Sequence, residues 1–227
     1  GAVMQFISNF MTAVRPQVIK NYAEGNVERM HSLTFYTAKF SYMLMLALVV
    51  PICCEIKFIL HLWLGDEVPA DTALFAVLVL VTYTWRTFHI ASLMPYHAIG
   101  KIKTGNVTIG SLMIATLPIG YVLFKIGLPA YSVFLVIFTV EIVGMFAIYW
   151  LIHNYEYFPY IDLFTKILIP SAVVTLLTVS LPLYIINCLE EGWFRLILVG
   201  ISTEITLALS AFYIGLNKSE RIRIVSF

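Results

Sequence analysis

TGNVTIGSLMIATLPIGYVLF, residues 104–124, and ILIPSAVVTLLTVSLPLYIINCL, residues 167–189, decide the fold. Neither stretch contains a charged residue. A helix rises about 1.5 Å per residue, so about 20 apolar residues cross the ~30 Å hydrocarbon core of a bilayer. Both stretches meet that length, and the rest of the chain has the same character. Of 227 residues, 60% are hydrophobic and 12% are charged, and the mean hydropathy is +0.90. A soluble domain carries roughly 45–50% apolar and about 25% charged residues. Half the usual charge cannot clothe a globule in water. An ordinary soluble enzyme, a disordered segment and a secreted disulfide scaffold are excluded. The expected fold is an all-α polytopic membrane protein.

Working outward from these two stretches, the hydropathy pattern gives one partial span at residues 1–14. Six full spans follow at 33–60, 72–94, 106–124, 128–151, 167–186 and 194–216. The span at 33–60 holds Glu55 and Lys57 near its end, and Pro51 is expected to kink it. No basic region precedes the first apolar residues, so they do not read as a signal peptide. They read as the end of a helix cut off upstream, and the chain is expected to be the C-terminal part of a longer protein. Cys53, Cys54 and Cys188 have no metal spacing and are expected to be core or lipid-facing thiols.

Net charge is +1, from 14 Lys and Arg against 13 Asp and Glu, so there is no basic excess for nucleic acid. The placement of charge says more than its sum. Lys and Arg accumulate in cytoplasmic loops. Arg15, Lys20, Arg29 and Lys39, then Lys101 and Lys103, then Lys166, then Lys218, Arg221 and Arg223 fall in alternate connections. The opposite set holds Lys57, Lys125 and Arg195. The first connection and the C-terminus are therefore expected in the cytoplasm.

Chemistry is sought where polarity invades the apolar runs. Gln5, Ser8, Asn9, Thr12 and Arg15 recur at three- and four-residue steps, on one helical face. Amides facing hydrocarbon would be costly, so this stripe meets either another helix or a water-filled cavity. Arg86 and His89 sit three apart inside a span. A charge at that depth costs about 2.5–3.5 kcal/mol on insertion scales. An internal carboxylate, a hydrated cavity or an anionic ligand must offset it, and the planar guanidinium suits phosphate. Trp85 and Tyr83 flank the pair and are read as packing. Glu141 and Glu204 are the carboxylates within spans. Each either pairs with Arg86, binds a proton or Na⁺, or stays neutral. No Gly-rich phosphate loop, nucleophile–base pair or His/Cys cluster occurs, so no enzyme activity, metal or cofactor is expected.

Four stretches in order carry a resemblance: VRPQVIKNYAEGN (14–26), HLWLGDEVP (61–69), YHAIGKIKTGNV (96–107) and GLPAYSV (127–133). With the helix count, the chain resembles the polysaccharide transporter family, within the multidrug/oligosaccharidyl-lipid/polysaccharide superfamily. These are bacterial inner-membrane flippases for undecaprenyl-pyrophosphate-linked oligosaccharides such as O-antigen units of lipopolysaccharide. The resemblance implies two six-helix lobes around a central cavity. Residues 1–152 would be the C-terminal lobe without its first helix or helices. Residues 153–227 would be an appended pair of transmembrane helices with a short cytoplasmic tail. It also implies Arg86, His89 and Arg15 for the anionic head, Gln5 and Asn9 for the sugars, and H⁺ or Na⁺ coupling through Glu141 or Glu204. Membrane lipids and a polysaccharide polymerase complex would be the other partners. Two alternatives remain open: a cation-coupled multidrug exporter of the same superfamily, and a non-transporting scaffold or polysaccharide-synthesis partner. The scaffold requires Arg86 to pair with Glu141 or Glu204.

Overall fold

The computed structural model describes residues 2–65 and 67–216. Lys218, Arg221 and Arg223, which contributed to the charge alternation, lie outside them. Every regular element among the described residues is helical. The helices are α1 (Ala2–Ala23), α2 (Val27–Cys54), α3 (Ile56–Leu64), α4 (Thr72–Ile99), α5 (Ile102–Lys125), α6 (Ser132–His153), α7 (Tyr160–Leu163), α8 (Ile169–Cys188) and α9 (Trp193–Ser210). A π turn at Phe164–Leu168 joins α7 to α8, and another at Ala211–Gly215 follows α9. Six helical stretches are long and apolar enough to span a membrane: Val27–Cys54, Thr72–Ile99, Ile102–Lys125, Ser132–His153, Tyr160–Cys188 and Trp193–Gly215. The chain is a multi-pass membrane protein by this measure.

Helix ends differ from the hydropathy bounds where polar turns continue the helix. α1 runs past residue 14, through Pro16, to Ala23. It stops where Gly25 takes φ +75°, a left-handed conformation that only glycine adopts without strain. The Asn26 N–H then closes the end on the Asn21 carbonyl at 2.9 Å. Asn26 also starts the next helix, its Oδ1 accepting the Arg29 N–H at 3.1 Å. α2 therefore begins at Val27, earlier than the expected 33, and Lys39 lies buried inside it rather than in a connection. The single span expected at 33–60 is two helices. α2 ends three residues after Pro51, Glu55 sits in the break, and α3 follows.

The helices group into two packing units: Gly1–Ser41 with Val77–Pro159, and Tyr42–Ala76 with Tyr160–Phe227. The sequence division lies at 152/153, and the packing changes unit at 159/160. The packing differs from it in grouping residues 42–76 with the last helices. In the first unit the core holds Ile7, Met11 and Val18 of α1, Met30 and Phe35 of α2, Phe88 and Met94 of α4, and Met145, Ile148 and Tyr149 of α6. The segment after α6 closes over this core. Phe158 stacks on Tyr149 at 4.3 Å, and the Tyr157 carbonyl lies 3.1 Å from His31 Nε2.

In the second unit α8 and α9 pack together, and they bury small and β-branched residues, among them Ser171, Val174, Thr178, Val199, Thr203 and Ser210. Such residues let membrane helices approach closely, and their hydroxyls bond across the seam. The Thr206 hydroxyl lies 2.8 Å from the Ser202 carbonyl of its own helix and 3.3 Å from the Thr178 carbonyl across the seam. A buried ion pair joins the α2–α3 break to α9. Arg195 donates from Nε and Nη2 to the two oxygens of Glu55, both at 2.8 Å. Nη1 reaches the Leu189 carbonyl at 3.1 Å. The Glu55 side chain is fully enclosed. Arg195, counted in the sequence among connecting residues, is thus buried in a two-pronged ion pair.

Candidate functional site

The site lies in the first unit, where two residue pairs of the same spacing face each other. Arg86 and His89 share one face of α4, and Glu141 and Gly144 share one face of α6. His89 Nδ1 lies 2.6 Å from Glu141 Oε2. Arg86 Nη1 lies 3.6 Å from Glu141 Oε1. The first contact is a short hydrogen bond; the second is an ion pair beyond hydrogen-bonding distance. Exposure divides the three groups. The side chains of Glu141 and His89 are 4% and 6% exposed, and that of Arg86 is 39% exposed.

Gly144 makes the arrangement possible. A Cβ at this position would stand 2.8 Å from His89 Cε1 and 3.1 Å from Nε2. The ring therefore lies directly on the α6 backbone. Its Nε2 is buried with no hydrogen-bond partner. A bare nitrogen lone pair there is cheaper than a buried N–H without an acceptor. This assigns the ring proton to Nδ1, donated to Glu141. Trp85 packs edge-on against Phe88 and Phe138, which agrees with its reading as packing.

The α1 stripe keeps its polar face open. Ile7, Met11 and Val18 turn into the core, whereas Gln5, Asn9 and Thr12 are exposed. Gln5 Nε2 donates to Asn9 Oδ1 at 3.2 Å, and Thr12 bonds back to the Ser8 carbonyl at 2.8 Å. Arg15 is half-buried on the shoulder between the two faces. Its Nε is buried without a partner, and the His97 imidazole lies within its electrostatic reach. A polar recess of about 470 Å³ lies further along, lined by Gln17, Lys20, Asn21, Glu24, Asn26, Arg29 and Leu33. None of the candidate substrate or coupling residues lines it; Lys20 and Arg29 entered the sequence reading as charges of a connection.

The fold brings Arg86, His89 and Glu141 together, and places Gln5, Asn9 and Arg15 on α1 of the same unit. Glu204 belongs to the other unit, on the exposed side of α9 beside Ile201 and Ile205. Gly144 and the Glu55–Arg195 pair were not foreseen. The signal for the pair was present, since Glu55 and Arg195 each sit inside an apolar stretch. Outside the spans, Tyr22 donates to Glu156 at 3.2 Å. Burial, helped by that carboxylate, raises the phenol above its ordinary range. Among the described residues no group of three or more His, Cys, Asp or Glu is placed to hold a metal ion. The chain matches no protein-family model, and comparison with curated proteins and with solved structures gave no match.

Proposed function

We propose that this chain belongs to a transporter that carries an undecaprenyl-pyrophosphate-linked oligosaccharide across the bacterial inner membrane by alternating access. The observation that carries the reading is the loose side of the Arg86–Glu141 pair. Arg86 stands at span depth with 39% of its side chain exposed and its Nη1 3.6 Å from the carboxylate, so it can exchange that partner for a phosphate oxygen. The open amide face of Gln5 and Asn9 supports the same reading, because amides pair with sugar hydroxyls. Arg15, with an unpartnered buried Nε, is the second cation offered to the pyrophosphate. The lipid tail stays in the bilayer while the head crosses, and the lobes of the complete protein alternate access to it.

Replacing Arg86 by Ala in the complete protein, at matched expression, tests this. Loss of surface polysaccharide is expected, and unchanged display removes Arg86 from the mechanism. A second reading, the non-transporting scaffold, draws on the same pair, since Arg86 does meet an internal carboxylate. It predicts wild-type polysaccharide display for Arg86→Ala combined with Glu141→Ala, and for Gln5→Leu combined with Asn9→Leu.

A further inference from the structure

Building on the transport reading, we propose that Glu141 is a proton-operated latch on Arg86: a proton taken from water by the Glu141–His89 pair releases the guanidinium to bind a phosphate diester. The asymmetry of the carboxylate carries this. Oε2 is fixed by the 2.6 Å bond from His89, while among the described residues Oε1 meets only the more distant guanidinium of Arg86. A proton on Oε1 leaves the short bond intact and cancels the charge that holds Arg86.

His89 directs the proton to that oxygen. Its Nε2 is buried against Gly144 with no acceptor, so a second ring proton would be enclosed without a partner. The ring keeps its single proton on Nδ1, and the added proton goes to the carboxylate. The charges balance. The resting trio of cationic Arg86, anionic Glu141 and neutral His89 is neutral. One proton brings it to a single positive charge, and one phosphate diester returns it to zero. Arg86 is the most exposed member of the trio, so the diester meets the guanidinium rather than the enclosed acid.

The other charged groups of the unit do not duplicate this contact. Arg86 and His89 both come from α4. On α5, packed against α6, the titratable side chains are Lys103, Tyr121 and Lys125, all near its ends. α2 brings the buried Lys39 into the unit, and α1 brings Arg15.

The test uses the complete protein in lipid nanodiscs and dimethyl phosphate as probe. The probe is a phosphate diester with one permanent negative charge, and it does not titrate near neutral pH. Calorimetry in two buffers of different ionisation enthalpy counts the protons taken up on binding. The expected result for the wild type is uptake approaching one proton per probe, with affinity falling about tenfold per unit rise in pH. Glu141→Gln, which mimics the protonated acid, is expected to bind more tightly at alkaline pH, with neither proton uptake nor pH slope. Binding by the wild type without proton uptake, or a pH slope that persists in Glu141→Gln, overturns the latch. The wild-type measurement needs no variant to fold. Arg86→Gln separates the two claims. If it abolishes binding while the wild type takes up no proton, only the latch fails. If it leaves affinity unchanged, Arg86 is not the anion ligand, and the latch falls with that role.

Discussion

Gly144 is occupied space in all but name, because the His89 ring fills the place of its missing side chain. Gly144→Ala is expected to push the ring off Glu141 and to destabilise the protein by about 1–3 kcal/mol, the usual cost of overpacking. Thermal unfolding in detergent reads this. Glu55 makes a comparable point in the other unit. Glu55→Ala leaves the Arg195 guanidinium enclosed without its acid. Breaking a buried pair from one side costs about 3–5 kcal/mol. Arg195 lies one turn from its helix end and retains Leu189 and Glu191, so the lower end of that range is expected. Glu55→Met combined with Arg195→Met should recover part of the loss. Tyr22 gives a pH-dependent case. Its raised phenol favours the folded state fully below the ordinary phenol value and loses that contribution as pH rises through the raised value. The difference in unfolding temperature between wild type and Tyr22→Phe should therefore shrink in alkaline buffer. In the sequence, Arg86, His89 and Glu141 were legible as polar intrusions into apolar runs. Pairing of Arg86 with Glu141 or with Glu204 was one of the alternatives; the choice of Glu141, and its bond to His89, were not legible, because His89 and Glu141 are 52 residues apart and no local pattern encodes a contact between helices. Gly144 was one of 12 glycines, with nothing beside it to mark a ring resting on its backbone.

At the scale of helices, apolar length was decisive and helix ends were not. Hydropathy registers where lipid begins; hydrogen bonding registers where the helix does, and polar turns extend it at little cost. α2 illustrates both errors. Its start at Val27 depends on the Asn26 cap and the left-handed Gly25, and its break at Glu55, shortly after Pro51, holds an acid paired to a distant arginine. The same turn supplies a test. Gly25→Ala places a Cβ on a backbone at φ +75°, and a loss of about 1–2 kcal/mol is expected. The α1 stripe was readable because amides at helical spacing have a single periodic explanation. Its partners were not, since periodicity names a face and never what lies opposite. Gln5→Leu and Asn9→Leu change exposed positions, so unfolding temperatures should hold while polysaccharide display falls.

For the whole molecule, the charge alternation predicts sidedness. In a variant lacking Cys53, Cys54 and Cys188, a cysteine at position 101 should react with impermeant reagents only from the cytoplasmic side. A cysteine at position 70 should react only from the opposite side. A reporter fused after the last residue should be active in the cytoplasm. The Glu55–Arg195 pair also has a consequence for how the protein is made. Its members are 140 residues apart, so on the ribosome the acid is synthesised long before its arginine exists. Through that interval the nascent carboxyl must remain at the aqueous rim or enter lipid carrying a proton. On emerging, α9 then seals a joint begun at the α2–α3 break. A chain terminated before Trp193 would insert most of its helices yet retain an orphaned acid, a mark by which membrane proteases could recognise unfinished protein.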